Sequence, residues 1–298
     1  MKTLLNTPTI TIVGAALAIA ALGAQGKTTK PHPRQIFVSV LDRAGAPVVD
    51  LATSDFDITE DGTKREIVKA GLAQSPMRVA LILDTGDGMD KALNHLRAGV
   101  AAFADALPPP HEIMIVSTGR QTRVRVQPTA DRKKIRDAGT GIFLDGGGTP
   151  LMDGLMEIDD RFMKKAEDRW PVFVIITSDG TESSAGANEK KFNEWLAALP
   201  SRGVSAHAIV IKYRGGSMTE IVAEHVVQTA SGHYDYINTS NSLPDKMKAL
   251  AELLASDYEH AKSRYQITYI TDAADPRPVD VGVARDGVRI ALSAGRIH

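Results

Sequence analysis

The chain contains no cysteine, no surplus of either charge, no internal repeat and no low-complexity tract. Without cysteine, disulfides, thiolate zinc sites, iron–sulfur clusters and cysteine nucleophiles are excluded, while the compartment stays open. Lys+Arg 35 against Asp+Glu 36 leaves a formal net charge of -1, so no global field draws the protein to nucleic acid or anionic lipid. What is present is ordinary globular material. Its 298 residues are 43% hydrophobic and 24% charged, which excludes disorder and a polytopic membrane protein and suffices for one large domain or two modest ones.

The N-terminus carries the one compartment signal. Lys2 precedes an uncharged stretch whose apolar heart runs from Ile10 to Ala24, the length of a secretory h-region, with small residues at Ala21, Gly23, Ala24 and Gly26 as cleavage positions. Lys27, Lys30 and Arg34 follow the apolar run, a charge asymmetry that works against translocating the C-terminal side, and the uncharged stretch is just long enough to stay as an anchor, but a cleaved signal is the favoured reading. Residues 1–26 are therefore expected to be a signal peptide or a membrane anchor, and residues 27–35 a polar, proline-containing linker. Either way the protein is expected to be exported, periplasmic or extracellular, touching a membrane only through an uncleaved N-terminal segment.

Beyond the linker the pattern is β, then α/β, then β. Residues 36–75 alternate in short runs around an Asp61-Gly62 turn, and residues 263–298 do the same around Asp286-Gly287. Each flank is too small to bury a core alone, so the two are expected to pair into one small β module. Between them, residues 76–262 hold four runs that are apolar on both faces: Met77–Asp84, Glu112–Thr118, Val172–Ser178 and Val204–Ile211. Such runs read as buried parallel strands, and the amphipathic segments between them as helices. The expected fold is α/β, a doubly wound, mostly parallel sheet with helices on both faces. Arg123–Gln127 would form an antiparallel edge and Tyr234–Asn238 the far edge.

In such sheets ligands bind beyond the carboxyl ends of the strands, near the switch in strand order. Three loops there bring Asp84, Asp87, Asp145, Thr149, Ser178 and Asp179 to one rim, and hard oxygens of this kind suit Mg²⁺, Mn²⁺ or Ca²⁺. At these loops the chain resembles a von Willebrand factor type A domain, over about Met77 to Ala261, through LILDTGDGM, GGGTPLMDGL and VIITSDG in that order. The flanking VVDLATSDFDITEDG and RYQITYIT are similar to segments of exported bacterial proteins related to that family. The resemblance implies a non-enzymatic adhesion or assembly module. Its metal-ion-dependent adhesion site would hold a divalent ion through Asp-x-Ser-x-Ser, a Thr and an Asp, and a partner's carboxylate would complete the shell.

Carried over residue by residue, Asp84, Thr149 and Asp179 match the pattern, but Gly86 and Gly88 stand where the two serines belong. Glycine has no side-chain oxygen, so the expectation is a degenerate site with no cofactor, or with weakly bound Mg²⁺, Ca²⁺ or Mn²⁺ that keeps extra waters. Asp87 is a candidate to compensate. Without a cation the rim's own groups, Asp87, Asp145, Ser178, Lys212 and Arg214, would recognise a partner protein. Simpler roles fit some of these residues: Thr149 before Pro150 reads as a helix N-cap, and His207 within an apolar strand as a core histidine. The alternative function is a hydrolase using Asp84, Asp87 and Asp179. Its aspartic-protease form, from Asp84-Thr85-Gly86, is opposed by the α/β context and the lack of a second such loop.

Overall fold

Residues 28–166, 168–185, 189–274 and 277–293 are described by a computed structural model. The N-terminal flank supplies β1 (Thr28–Leu41), β2 (Phe56–Glu60), β3 (Thr63–Arg65) and β4 (Ile67–Leu72). The body follows with β5 (Met77–Leu83), α1 (Leu93–Ala106), β6 (Glu112–Gly119), β7 (Gln121–Thr129), α2 (Arg132–Thr140) and α3 (Leu151–Ile158). It continues with β8 (Trp170–Ser178), α4 (Glu189–Ala198), β9 (Ser205–Ile211), α5 (Met218–Thr229), β10 (Tyr234–Ile237) and α6 (Leu243–Ala261). The C-terminal flank adds β11 (Tyr265–Ala273), β12 (Val279–Val283) and β13 (Arg289–Ser293). Among the described residues no helix is long and apolar enough to cross a membrane, and the signal or anchor expected at residues 1–26 lies outside them.

The body is a six-stranded sheet in the order β10-β9-β8-β5-β6-β7, parallel except for β7. This is the α/β, doubly wound architecture expected, with β10 and β7 at its two edges. Period-two alternation divides each buried strand between two cores. Val79, Leu81 and Leu83 of β5 face α1 and α6, whereas Ala80 and Ile82 face α3, α4 and α5. Helix α2 buries only Ile135 and Gly139, too little apolar periodicity to stand out in the sequence. Because β5 has β6 on one side and β8 on the other, the switch point lies at the end of β5, at Asp84.

The flanks do pair. β1 runs antiparallel to β11 and to β13, and β11 to β4, giving the four-stranded sheet β13-β1-β11-β4. A second sheet, β12-β2-β3, faces it across a core of Val38, Val40, Phe56, Ile58, Tyr265, Ile267 and Tyr269. One correction concerns residues 27–35: from Thr28 onward they form the first part of β1, with Gln35 opposite Thr268 and His32 opposite Thr271. Among the described residues β13 pairs only Phe37–Leu41, and the register with β11 shifts between Thr28 and His32, an irregularity that accommodates Pro31.

A buried ion cluster joins the ends of the chain in this module. Glu60 is 0% exposed and takes Arg34 at 2.9 Å and Arg65 at 3.1 Å, with the Tyr269 hydroxyl donating at 3.1 Å and that of Thr271 at 2.5 Å. The body enters from β4 at the start of β5 and returns from α6 to β11. The β module thus sits at the amino ends of the body strands. The rim at their carboxyl ends lies about 20 Å away, the length of a seven-residue strand.

Candidate functional site

The site is built on β5. Asp84 directly follows it, buried to 1% exposure, and its carboxylate collects five donors. Oδ1 accepts from the Gly86 amide at 2.8 Å and the Thr149 hydroxyl at 2.5 Å. Oδ2 accepts from the Thr177 hydroxyl at 3.0 Å and from the Ser178 amide and hydroxyl at 3.2 Å each. All five partners are neutral amides and hydroxyls, and no cationic side chain is among them. Three loops from β5, β8 and the start of α3 therefore meet on one buried anion.

The glycines decide what else fits. A Cβ placed on Gly86 would lie 2.8 Å from the Gly147 carbonyl oxygen, 2.9 Å from Thr149 Oγ1 and 3.2 Å from Asp84 Oδ1. One placed on Gly88 would collide with Ser178 Oγ and lie 3.2 Å from Gly180 Cα. The space for the two serines of the metal pattern is thus taken by backbone and by hydroxyls already bonded to Asp84. Gly146 and Gly147, both at φ +72°, hold the loop that brings the Gly147 carbonyl against this point.

The remaining candidates separate. Asp179 turns to the loop after β9, where its Oδ2 accepts from the Arg214 amide and from the Gly215 amide at 2.6 Å. Asp87 is exposed and supplies none of the donors or acceptors around Asp84; its amide donates to the Gly147 carbonyl at 2.9 Å. Asp145 is not a free rim carboxylate: its side chain is 3% exposed and accepts from Arg125 at 2.7 Å and the Thr85 hydroxyl at 2.8 Å. Ser178 is fully buried, its hydroxyl spent on Asp84, so it does not face a partner either. Lys212 pairs with Glu220, a hydrogen bond that raises its pKa, and lies 4.5 Å from the Tyr236 ring centre. Thr149 is no N-cap; Glu182 Oε2 takes the Leu151 amide and Ser184 Oγ the Asp153 amide in its place.

Above Asp84 the rim encloses an open cavity of about 730 Å³. Asp87, Asp90 and Lys91 line one wall, Tyr213 and Arg214 another, and Asp179, Gly180 and Thr181 lie between them. Burial raises the Tyr213 phenol pKa, helped by the nearby Asp179 charge and opposed by a hydrogen bond to Ser240. Asp90, Lys91 and Tyr213 are site residues that motif matching does not supply, and Thr177 lies within the VIITSDG signature without a role in the metal pattern. Thr177 adjoins Ser178 at the end of a strand, and Arg123 and Arg125 share one face of β7, the only sequence signals that could have flagged the neighbourhoods of Asp84 and Asp145.

No family model matches this sequence, and no curated protein does. Among solved structures, a von Willebrand factor type A protein from Catenulispora acidiphila aligns over 91% of this chain and 74% of its own, with a TM-score of 0.53 and 9% identity. The fold is von Willebrand factor type A-like. Proximal thread matrix protein 1 from the mussel byssus aligns with a TM-score of 0.50 and 16% identity, over 64% of this chain and 49% of that one. The same mussel protein has been solved with a zinc-occupied MIDAS motif, which aligns with a TM-score of 0.49 and 12% identity over 71% of this chain and 50% of that one. At such identities the likeness concerns the fold. Within this type A-like fold Asp84, Thr149 and Asp179 occupy the expected loops, but only Asp84 and Thr149 bond to one another. Among the described residues no three His, Asp or Glu side chains converge as a metal cluster. Asp84 is also far from an aspartic-protease dyad, since its bonded partners are amides and hydroxyls.

Proposed function

We propose that this is an exported, non-enzymatic protein-interaction or assembly module that recognises its partner with the strand-end rim and without a resident cation. Type A-like folds typically serve as protein-interaction domains, which supports the general class. The observation that carries the specific reading is the closure around Asp84: five protein donors on its carboxylate, with backbone and hydroxyl oxygens where two serine ligands would stand. With Gly86 and Gly88 contributing nothing, and Asp179 held by backbone amides, the donor set falls short of a Mg²⁺ shell. Asp84 then works as a structural pin that fixes the three loops, and the exposed Asp87, Asp90, Lys91, Tyr213 and Arg214 provide recognition from a rigid sheet. A buried, fully bonded Asp84 also has no open face for a substrate, which argues against hydrolysis. Export rests on the apolar segment from Ile10 to Ala24.

The test is affinity capture from the organism's own envelope fraction. Asp87→Lys combined with Arg214→Glu should abolish capture, whereas charge changes on the β module such as Lys69→Glu should leave it intact. Capture that survives the rim variant and fails with the module variant contradicts the proposal.

A further inference from the structure

Beside the cavity, the β6–β7 hairpin and the loop at residues 142–148 make up the other half of the rim, and four arginines surround them. Arg97 donates from Nε to the Ile142 carbonyl at 2.8 Å. Arg125 donates to Asp145 at 2.7 Å and to the Ser117 hydroxyl at 2.8 Å, and its guanidinium lies 4.2 Å from the centre of the Phe143 ring. Arg123, exposed on the same face of β7, lies 3.7 Å from Asp145 Oδ1. Arg120 is exposed at the hairpin tip, where its amide donates to the Gly148 carbonyl at 3.0 Å. Two carboxylates stand against these cations: Asp145, buried and spent on Arg125, and Asp87, next to Gly146 on the cavity side. The exposed charge of this half-rim is therefore positive, on a chain whose formal net charge is -1.

Two features separate this patch from ordinary surface. Phe143 is 46% exposed yet pinned, because the guanidinium against its ring is itself fixed by Asp145; an aromatic held in place docks with little entropy left to lose. Arg120 has φ +47°, a left-handed conformation that glycine adopts freely and arginine does not. A long cation kept where glycine fits better, with no acidic partner among the described residues, is not explained by the stability of the hairpin. We infer that this half-rim docks an acidic segment of the partner protein, Arg120 and Arg123 receiving its carboxylates and an apolar residue of the segment covering Phe143. The inference rests on the rim being the recognition surface, and it names the partner's chemistry there. A purely apolar partner would bury two arginines without counter-charge. A nucleic acid would need a longer run of cations than two exposed ones beside Asp87. A carboxylate next to an apolar side chain meets both halves of the patch, through charge-assisted bonds to the arginine forks and contact with the ring.

The test is fluorescence anisotropy with the full chain in chelator, so that no cation contributes. The probes are a labelled short peptide of glutamate, leucine and glycine, its counterpart with glutamine for glutamate, and a single-stranded DNA of similar length. The glutamate peptide should bind saturably and lose affinity as salt is raised from about 50 to 300 mM. The glutamine peptide should bind about tenfold more weakly, since the exposed charge pairs are lost. Arg120→Gly should weaken the glutamate peptide severalfold with the thermal midpoint unchanged or raised, because glycine suits that φ. Arg120→Glu with Arg123→Glu should abolish binding by replacing attraction with repulsion, Phe143→Ala should weaken it without altering its salt dependence, and Lys69→Glu on the β module should leave it as in the wild type. No saturable binding, equal affinity for the two peptides, tighter binding of the DNA, or binding unchanged in both arginine variants would each overturn the inference. None of these outcomes bears on the rim reading itself, which capture from the envelope fraction decides, so the two can fail separately.

Discussion

Replacing Asp84 by asparagine changes one oxygen to an amide nitrogen and alters nothing else in size. Whichever way the amide turns, its NH₂ faces donors. On the Oδ1 side these are the Gly86 amide and the Thr149 hydroxyl; on the Oδ2 side they are the Ser178 amide and the hydroxyls of Thr177 and Ser178. Hydroxyls can rotate and accept, but a backbone N–H cannot, so at least one buried amide loses its partner at a cost of about 1–3 kcal/mol. The bonds that remain lose the strength they drew from the carboxylate charge, which brings the total to about 2–4 kcal/mol. For a body of this size that corresponds to a fall of about 5–10 °C in thermal midpoint. The assay is calorimetry or circular dichroism melting of wild type and Asp84→Asn, both in chelator. The choice of chelator matters, because in a cation site stripped of its metal the carboxylate is poorly compensated, and neutralising it is neutral or stabilising. An unchanged or raised midpoint in Asp84→Asn would therefore refute the description of Asp84 as an internally satisfied pin.

Three further expectations concern other parts of the molecule. Gly86→Ser should destabilise by about 1–3 kcal/mol through overpacking against the Gly147 carbonyl, read as a lower urea midpoint. His207 is buried, with its pKa lowered to about 4 by burial and by the neighbouring His233, so the native state resists a proton that the unfolded chain accepts below about 6.5. Its stability contribution is complete above that pH and is lost as pH falls towards 4, about 3 kcal/mol over the window; His207→Asn should flatten the urea midpoint between pH 7 and 4.5 relative to wild type. Glu60→Ala should cost about 3 kcal/mol by removing the buried carboxylate that Arg34 and Arg65 share and that accepts from the Tyr269 and Thr271 hydroxyls, although Arg65 keeps Asp272 at 2.9 Å, seen in chemical denaturation monitored by circular dichroism.

The body of the fold was legible because its signals are local. Met77–Leu83 and Trp170–Ser178 are apolar on both faces, and a strand needs no further information to be read as buried in a parallel sheet. The Asp-rich strand ends followed from the same logic, since strand order places them together. What stayed hidden depends on partners distant in sequence. Asp145 is withdrawn from the rim by Arg125, Ser178 by Asp84, and Lys212 by Glu220, and nothing in the composition of those loops separates a committed charge from a free one. The strand character of residues 28–35 is imposed by β11, more than 230 residues later, against a local composition of prolines and basic residues. The capping of α3 by Glu182 and Ser184 is likewise a tertiary choice that overrides the local Thr149-Pro150 signal.

The measurement that bears most directly on the account is the thermal midpoint of the full chain in chelator and again in millimolar Mg²⁺ and Mn²⁺. A ligand that binds only the native state stabilises by RT ln(1 + [L]/Kd), about 0.4 kcal/mol when its concentration equals Kd. With Asp84 closed by five protein donors and Gly86 and Gly88 supplying no ligand, the midpoint should move by no more than about 1 °C. A rise of several degrees that disappears in Asp179→Ala would show that the loops rearrange into a working cation site, and would contradict the metal-free rim.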